Sequence, residues 1–134
     1  MNLDWVLEAL QAVCPSVDLE VQRAPIDECI VTLPPGHIRD AVAALLVLDV
    51  YHLSTITGQD LDGTIELLYH FWEGGGLTLR TSVPRARARI ASVVDLIPGA
   101  VFYEREIGEM LHVTFEGHPD PQAFLLPDDW NGEA

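Results

Sequence analysis

The sequence predicts an α+β domain of two layers, and three observations carry that prediction. Two segments, Leu3–Val13 and Ala100–Leu111, repeat apolar residues at the helical period. Two others, Thr64–Trp72 and 77–83, alternate apolar with polar residues on either side of Glu73-Gly74-Gly75-Gly76, whose glycines suit a tight reversal. The chain has 134 residues and is 49% apolar, enough for the core of one domain and more than a disordered chain carries. The expected order of elements is α-β-β-α-β-β-β-α-α, an antiparallel or mixed sheet covered by helices, with an irregular Pro-rich C-terminal tail. No repeat or break in composition divides the chain. It reads as a single domain over 1–134, with a globular body 1–116 and an extended docking tail 117–134.

Each element has its own signal. Asn2 is placed to cap the first helix, whose Leu3, Val6, Leu7, Leu10 and Val13 share one face; Asp4 and Glu8 sit where the helix dipole favours acids. Pro15 stops it. Residues 18–24 and 28–33 read as a hairpin turning at Pro25-Ile26-Asp27, with Val17, Leu19 and Val21 alternating against a wet face. A helix over 37–46 follows Pro34-Pro35-Gly36, with Ile38, Ala41, Val42, Leu45 and Leu46 as its buried stripe. Residues 50–57 are β-branched and aromatic and read as a strand closed by Gly58-Gln59-Asp60. In Thr64–Trp72 one face holds Ile65, Leu67, Tyr69 and Phe71; the other, with Glu66, Leu68, His70 and Trp72, reads as partly covered. These last strands form an antiparallel meander. The cluster Arg85, Arg87 and Arg89 reads as a surface loop, followed by a short helix over 90–96 that Pro98-Gly99 breaks. In the last helix Tyr103, Ile107, Met110 and Leu111 form the core face, and Arg105 and Glu109 stand four apart, where they can pair. Thr114 and Phe115 look extended, and Pro119, Pro121 and Pro127 bar both helix and ladder from the tail.

Charge narrows the partners. Acidic residues number 21 against 7 basic ones, all arginine, for a net charge of −14. Such a surface repels phosphate backbones and anionic lipid, so neither nucleic acid nor a membrane surface is expected, and a basic protein surface is the partner it would attract. Cys14 and Cys29 lack Cys-x-x-Cys spacing and read as buried free thiols. Acids near the start argue against a leader, and the longest apolar run, 41–48, falls short of the roughly 20 residues of a span. The expectation is a soluble, intracellular chain with no direct membrane span.

Chemistry concentrates near the C-terminus. Glu109, His112, Glu116 and His118 suggest a stand-alone metal-dependent enzyme, although their spacing is not that of ligands on successive helical turns. Glu104 and Glu106, two apart on a helix, point to different sides and cannot share a substrate. There is no Gly-x-Ser-x-Gly elbow, no dinucleotide fingerprint and no phosphate loop. Composition and spacing therefore end at a two-layer domain with no visible catalytic site.

The stretch Glu104-Arg105-Glu106, Glu109-Met110-Leu111, Phe115-Glu116-Gly117-His118-Pro119-Asp120, Leu125-Leu126-Pro127 and Asp129-Trp130 resembles the signature of one family. This is the thirty-kilodalton subunit family of respiratory NADH:quinone oxidoreductase (complex I), with equivalents in energy-converting [NiFe] hydrogenases, formate hydrogenlyases and methanogen deazaflavin dehydrogenases. The resemblance covers roughly residues 45–130, and 66–71 look more like the hydrogenase and methanogen branches. His112 stands where the family carries a glycine, and the family's onward Pro-Leu-Arg-Lys segment does not follow. The resemblance implies a non-catalytic scaffold subunit of the oxidoreductase complex, with no cofactor of its own. It would brace the large, hydrogenase-large-subunit-like chain of the peripheral arm, on the cytoplasmic, inner face of the cell membrane. The residues it implies at the partner interface are Glu104, Arg105, Glu106, Glu109, His118, Asp129 and Trp130.

Overall fold

The computed structural model describes residues 2–15, 19–24 and 28–119. Asn2 Oδ1 accepts the Trp5 N–H (3.2 Å) and caps α1, Leu3–Val13, which buries Val6 and Leu10. β1 (Glu20–Ala24) and β2 (Glu28–Thr32) pair antiparallel. A short 3₁₀ turn, Pro35–His37, leads into α2, Ile38–Val47, one residue later than expected because prolines 34 and 35 hold the entry extended and tight. β3 (Leu53–Asp60), β4 (Thr64–Trp72) and β5 (Gly76–Pro84) form the expected antiparallel meander. A 3₁₀ turn over Arg85–Arg87 precedes β6 (Arg89–Ala91); then come α3 (Ala100–Leu111) and β7 (Thr114–Glu116).

The main sheet has the order β1-β2-β5-β4-β3 and is mixed, since β2 and β5 run parallel. A parallel pair needs a crossover, and here α2 and the β3–β4 hairpin lie between the two strands in sequence. Cys29, Val31, Leu67, Tyr69, Leu77 and Leu79 point to one face and are closed off from water with Val42 and Leu45 of α2. Both cysteines are buried free thiols, and burial raises their pKa, most of all through lost hydration.

Four expectations need correction. Residues 90–96 are not a helix. Ile90 is the centre of β6 and pairs in parallel with Phe115 of β7, a contact 25 positions away that no local signal announces. Among the described residues the order of elements therefore gains β6 and ends on β7. Gly58-Gln59-Asp60 does not close β3; the reversal comes at Asp62 (φ 56°) and Gly63 (φ 115°). An Asp-Gly pair with both φ values positive is the hairpin turn that matches strand twist. Met110, expected in the core, is 71% exposed; the buried residues of α3 are Ala100, Glu104 and Ile107, while Tyr103 and Leu111 pack at the margin. Val21 is 39% exposed on its edge strand, and Val17 lies outside the described residues.

The second sheet face is not covered by any described element. Cross-strand polar contacts line it. His70 bridges Thr57 Oγ1 (3.0 Å) and Thr78 Oγ1 (3.1 Å). Arg80 Nε donates to Thr32 Oγ1 (2.8 Å) and pairs with Glu20. Desolvation holds the His70 pKa below its usual value, against a smaller opposite pull from Glu28.

Candidate functional site

The motif-bearing stretch is helix α3 with the turns on either side. Glu104 lies in the middle of the helix and is fully buried. Its carboxylate accepts two hydrogen bonds, from Ser92 Oγ to Oε1 (2.7 Å) and from the Val93 N–H to Oε2 (2.8 Å). Ser92 Oγ accepts in turn from the Val94 N–H (3.1 Å). The loop between β6 and α3 is thus fastened to the helix through one side chain. Burial raises the Glu104 pKa above the ordinary carboxylate value; the Ser92 and Val93 bonds and the nearby His118 oppose this, and Asp95 adds to it. The Tyr69 hydroxyl, on the adjacent strand, is also pushed up, chiefly by burial and further by the Glu104 charge.

Glu104, expected at a partner interface, is therefore inside the domain, and its hydrogen bonds go to its own chain. Arg105 Nε pairs with Glu109 Oε2 at 3.3 Å along the helix. Glu106 faces outward, next to Ile107 and Met110, and borders a groove against β3. The helix ends at His112, whose φ of 58° and ψ of 37° are left-handed, with its N–H bonded to the Gly108 carbonyl. This is the position where a glycine is least strained. The chain then returns through β7 to the Gly117 turn (φ 91°), and His118 Nε2 reaches the Val101 carbonyl at 3.2 Å. A carbonyl only accepts, so Nε2 carries the proton. His118 ties the Gly-His-Pro turn back to the first turn of α3. Asp129 and Trp130 lie outside the described residues.

The four residues of the metal-enzyme alternative are not brought together. His112 caps the helix, Glu109 pairs with Arg105, Glu116 pairs with Arg89 (3.0 Å), and His118 faces Val101. Among the described residues, no group of three or more His, Cys, Asp or Glu side chains is arranged to hold a metal. Six of the seven arginines are in ion pairs within the chain: Arg23–Asp4, Arg39–Asp95, Arg80–Glu20, Arg85–Asp60, Arg89–Glu116 and Arg105–Glu109. Of the basic cluster only Arg87 has no such partner among the described residues. Ser92 and Tyr69 are the members of this site that the sequence did not single out. In the sequence Ser92 reads as part of a short helix over 90–96, and a strand tyrosine reads as core.

Comparison with known proteins places this architecture. Residues 31–134 match the family model described as the respiratory-chain NADH dehydrogenase 30 Kd subunit. The C subunit of an NADH-quinone oxidoreductase of Acidothermus cellulolyticus is 40% identical over 81 residues, which are 60% of this chain and 42% of that one. Its counterpart in Moorella thermoacetica is 29% identical over 97% of this chain and 90% of its own length. The chain thus spans less than half of the Acidothermus relative, and about a fifth of a C/D relative from Gluconacetobacter diazotrophicus. Among solved structures, a chain of the membrane-bound sulfane sulfur reductase, an archaeal respiratory membrane complex, superposes with a TM-score of 0.77 at 26% identity. That match covers 96% of this chain and 79% of that one. No helix among the described residues is long and apolar enough to cross a membrane. A mixed sheet, a motif helix pinned by a buried glutamate and a family match over most of the sequence converge: this chain belongs to the family of the 30-kilodalton subunit of respiratory-chain NADH dehydrogenase.

Proposed function

We propose that this chain is a non-catalytic scaffold subunit of a membrane-associated respiratory complex of the NADH:quinone oxidoreductase or energy-converting hydrogenase type. It braces the large catalytic subunit from the cytoplasmic side and carries no redox centre of its own. The observation that carries the reading is Glu104. The carboxylate at the heart of the family motif is sealed from solvent and bonded to Ser92 and Val93, a role in holding shape that leaves no oxygen exposed to a substrate.

Two features of the surface support the assembly part of the reading. Large apolar side chains stand in solvent, among them Trp5 (66% exposed), Val47 (84%) and Met110 (71%). Trp5 and Val47 border a hollow of about 440 Å³ with Leu48, Val50 and Glu73. Exposed apolar groups gathered in this way mark contact surfaces. The charge supports a basic partner, because the arginines are largely engaged within the chain and the acidic surplus is not. The segment 117–134 would serve as the docking tail, with its first residues held by His118.

The test is genetic replacement in the native host. Deleting the chain should release the large subunit from the membrane fraction. Glu104→Gln should leave turnover per assembled complex unchanged. A substitution in this chain that abolishes turnover while the complex remains assembled would overturn the non-catalytic reading.

A further inference from the structure

Strand β3 ends the main sheet on one side, with nothing beyond it among the described residues. A free edge offers a row of unpaired backbone donors and acceptors, which proteins ordinarily blunt with charge, proline, shortness or cover. The opposite edge follows that rule: β1 is five residues long and carries Glu20 and Arg23. β3 does not. It is eight residues long, its middle is the β-branched Thr55-Ile56-Thr57, and its one charged residue, Asp60, stands at the far end in a pair with Arg85. The bond from the Leu61 N–H to the Thr64 carbonyl (2.8 Å) sets the phase of the ladder. Thr57 and Gln59 turn their backbone groups toward β4, and Ile56 and Gly58 turn theirs outward, where the Ile56 carbonyl takes only a long bond from Thr55 Oγ1 (3.5 Å).

Helix α3 lies against this strand. A Cβ at Gly58 would stand 2.6 Å from Leu111 Cδ1, so the glycine lets the helix end come down onto the edge. Met110 and Glu106 then stand beside the strand and border a groove of about 230 Å³ along Thr55 to Gly58. Met110 is exposed, and Glu106 has no ion-pair or hydrogen-bond partner among the described residues.

We propose that the β3 edge takes up an extended segment of another subunit as an added strand, one that brings an Arg or Lys to Glu106 and an apolar side chain to Met110. The proposal rests on the reading of this chain as a subunit of a complex. Backbone bonds to Ile56 and Gly58 give the pairing, and the α3 groove selects the segment. Charge decides the kind of partner. The chain carries −14 and has six of its seven arginines paired internally, so the cation for Glu106 comes from outside. A second copy would bring the same negative charge.

The full-length chain, with photoreactive benzoylphenylalanine in place of Met110, is expressed in the native host, purified from membranes with whatever it binds, and irradiated. The crosslinked peptide is expected to come from a different subunit, with alternating apolar residues and an Arg or Lys beside the crosslink. A crosslink to a second copy, to residues 120–134 of the same chain, or to a peptide with no basic residue overturns the proposal. So does the absence of any crosslink from a chain that has co-purified with other subunits, and in that case the subunit reading stands. A chain that brings down no other subunit overturns both. Amide exchange gives an independent readout. Ile56 and Gly58 should exchange freely in the isolated full-length chain and slow about tenfold or more in the complex, while Thr57 and Gln59 are slow in both. Unchanged exchange at Ile56 and Gly58 contradicts strand addition.

Discussion

Glu104 shows how one buried carboxylate organises its surroundings. Replacing it with Ala strands the Val93 N–H and Ser92 Oγ and leaves a cavity, at a cost of about 3 kcal/mol in chemical denaturation. The pH dependence has a definite sign. The folded-state pKa is raised, so the folded domain holds the Glu104 proton more tightly than the unfolded chain does. Between the ordinary carboxylate pKa and the raised one, stability falls as pH rises. Wild type should therefore gain on Glu104→Gln when pH is lowered from neutral into that window, measured as a difference in Tm; a difference that does not vary with pH would contradict the assignment. Asp60 and Asp95 act oppositely, since their pairs with Arg85 and Arg39 lower their pKa and are lost in stronger acid. At His112 the left-handed backbone costs a histidine more than a glycine. His112→Gly should stabilise the domain by up to roughly 1 kcal/mol, and a loss in urea denaturation would show that the imidazole has a role of its own.

At the scale of elements, the packing of α3 on β3 depends on Gly58. Gly58→Ala places a methyl group 2.6 Å from Leu111 Cδ1, the end of a half-buried side chain that can turn aside, so the cost falls at the low end of overpacking, about 1 kcal/mol. Leu111→Ala in the same chain should recover part of that loss, a coupling that a double-mutant cycle reads directly. Elements whose burial follows their own period were legible before the structure: α1 with its Asn2 cap, β4 with Ile65, Leu67, Tyr69 and Phe71, and the bounds of α3. What escaped depends on distant partners. β6 is three residues long and exists because Phe115 lies beside Ile90. Asp62-Gly63 was a readable turn, but Gly58 drew the boundary toward itself for a different reason, its contact with Leu111. Of the site, the Arg105–Glu109 pair was legible from its spacing of four, and the special backbone at His112 only through the resemblance, which puts a glycine there. The burial of Glu104 was not, because a glutamate on a charged helix reads as solvated unless the far loop that receives it is known.

At the scale of the molecule, the described helices pack on one face of the sheet, no described element covers the other, the edge strand β3 is charged only at Asp60, and the net charge is −14. Its ion pairs are mostly exposed, and each contributes little to stability; their larger consequence is that they use up the arginines and leave the acids to an outside partner. The internal hydrogen bonds of the motif and the external display of apolar and acidic groups fit a part built to be held by others. The central claim is tested most directly by purifying the tagged full-length chain from membranes of its native host at low ionic strength and identifying what accompanies it. The prediction is a stable complex containing a hydrogenase-large-subunit-like chain, with this chain, once separated, showing no visible chromophore of its own. Recovery of the chain alone, away from membranes, or with a redox chromophore bound to it, would contradict the account.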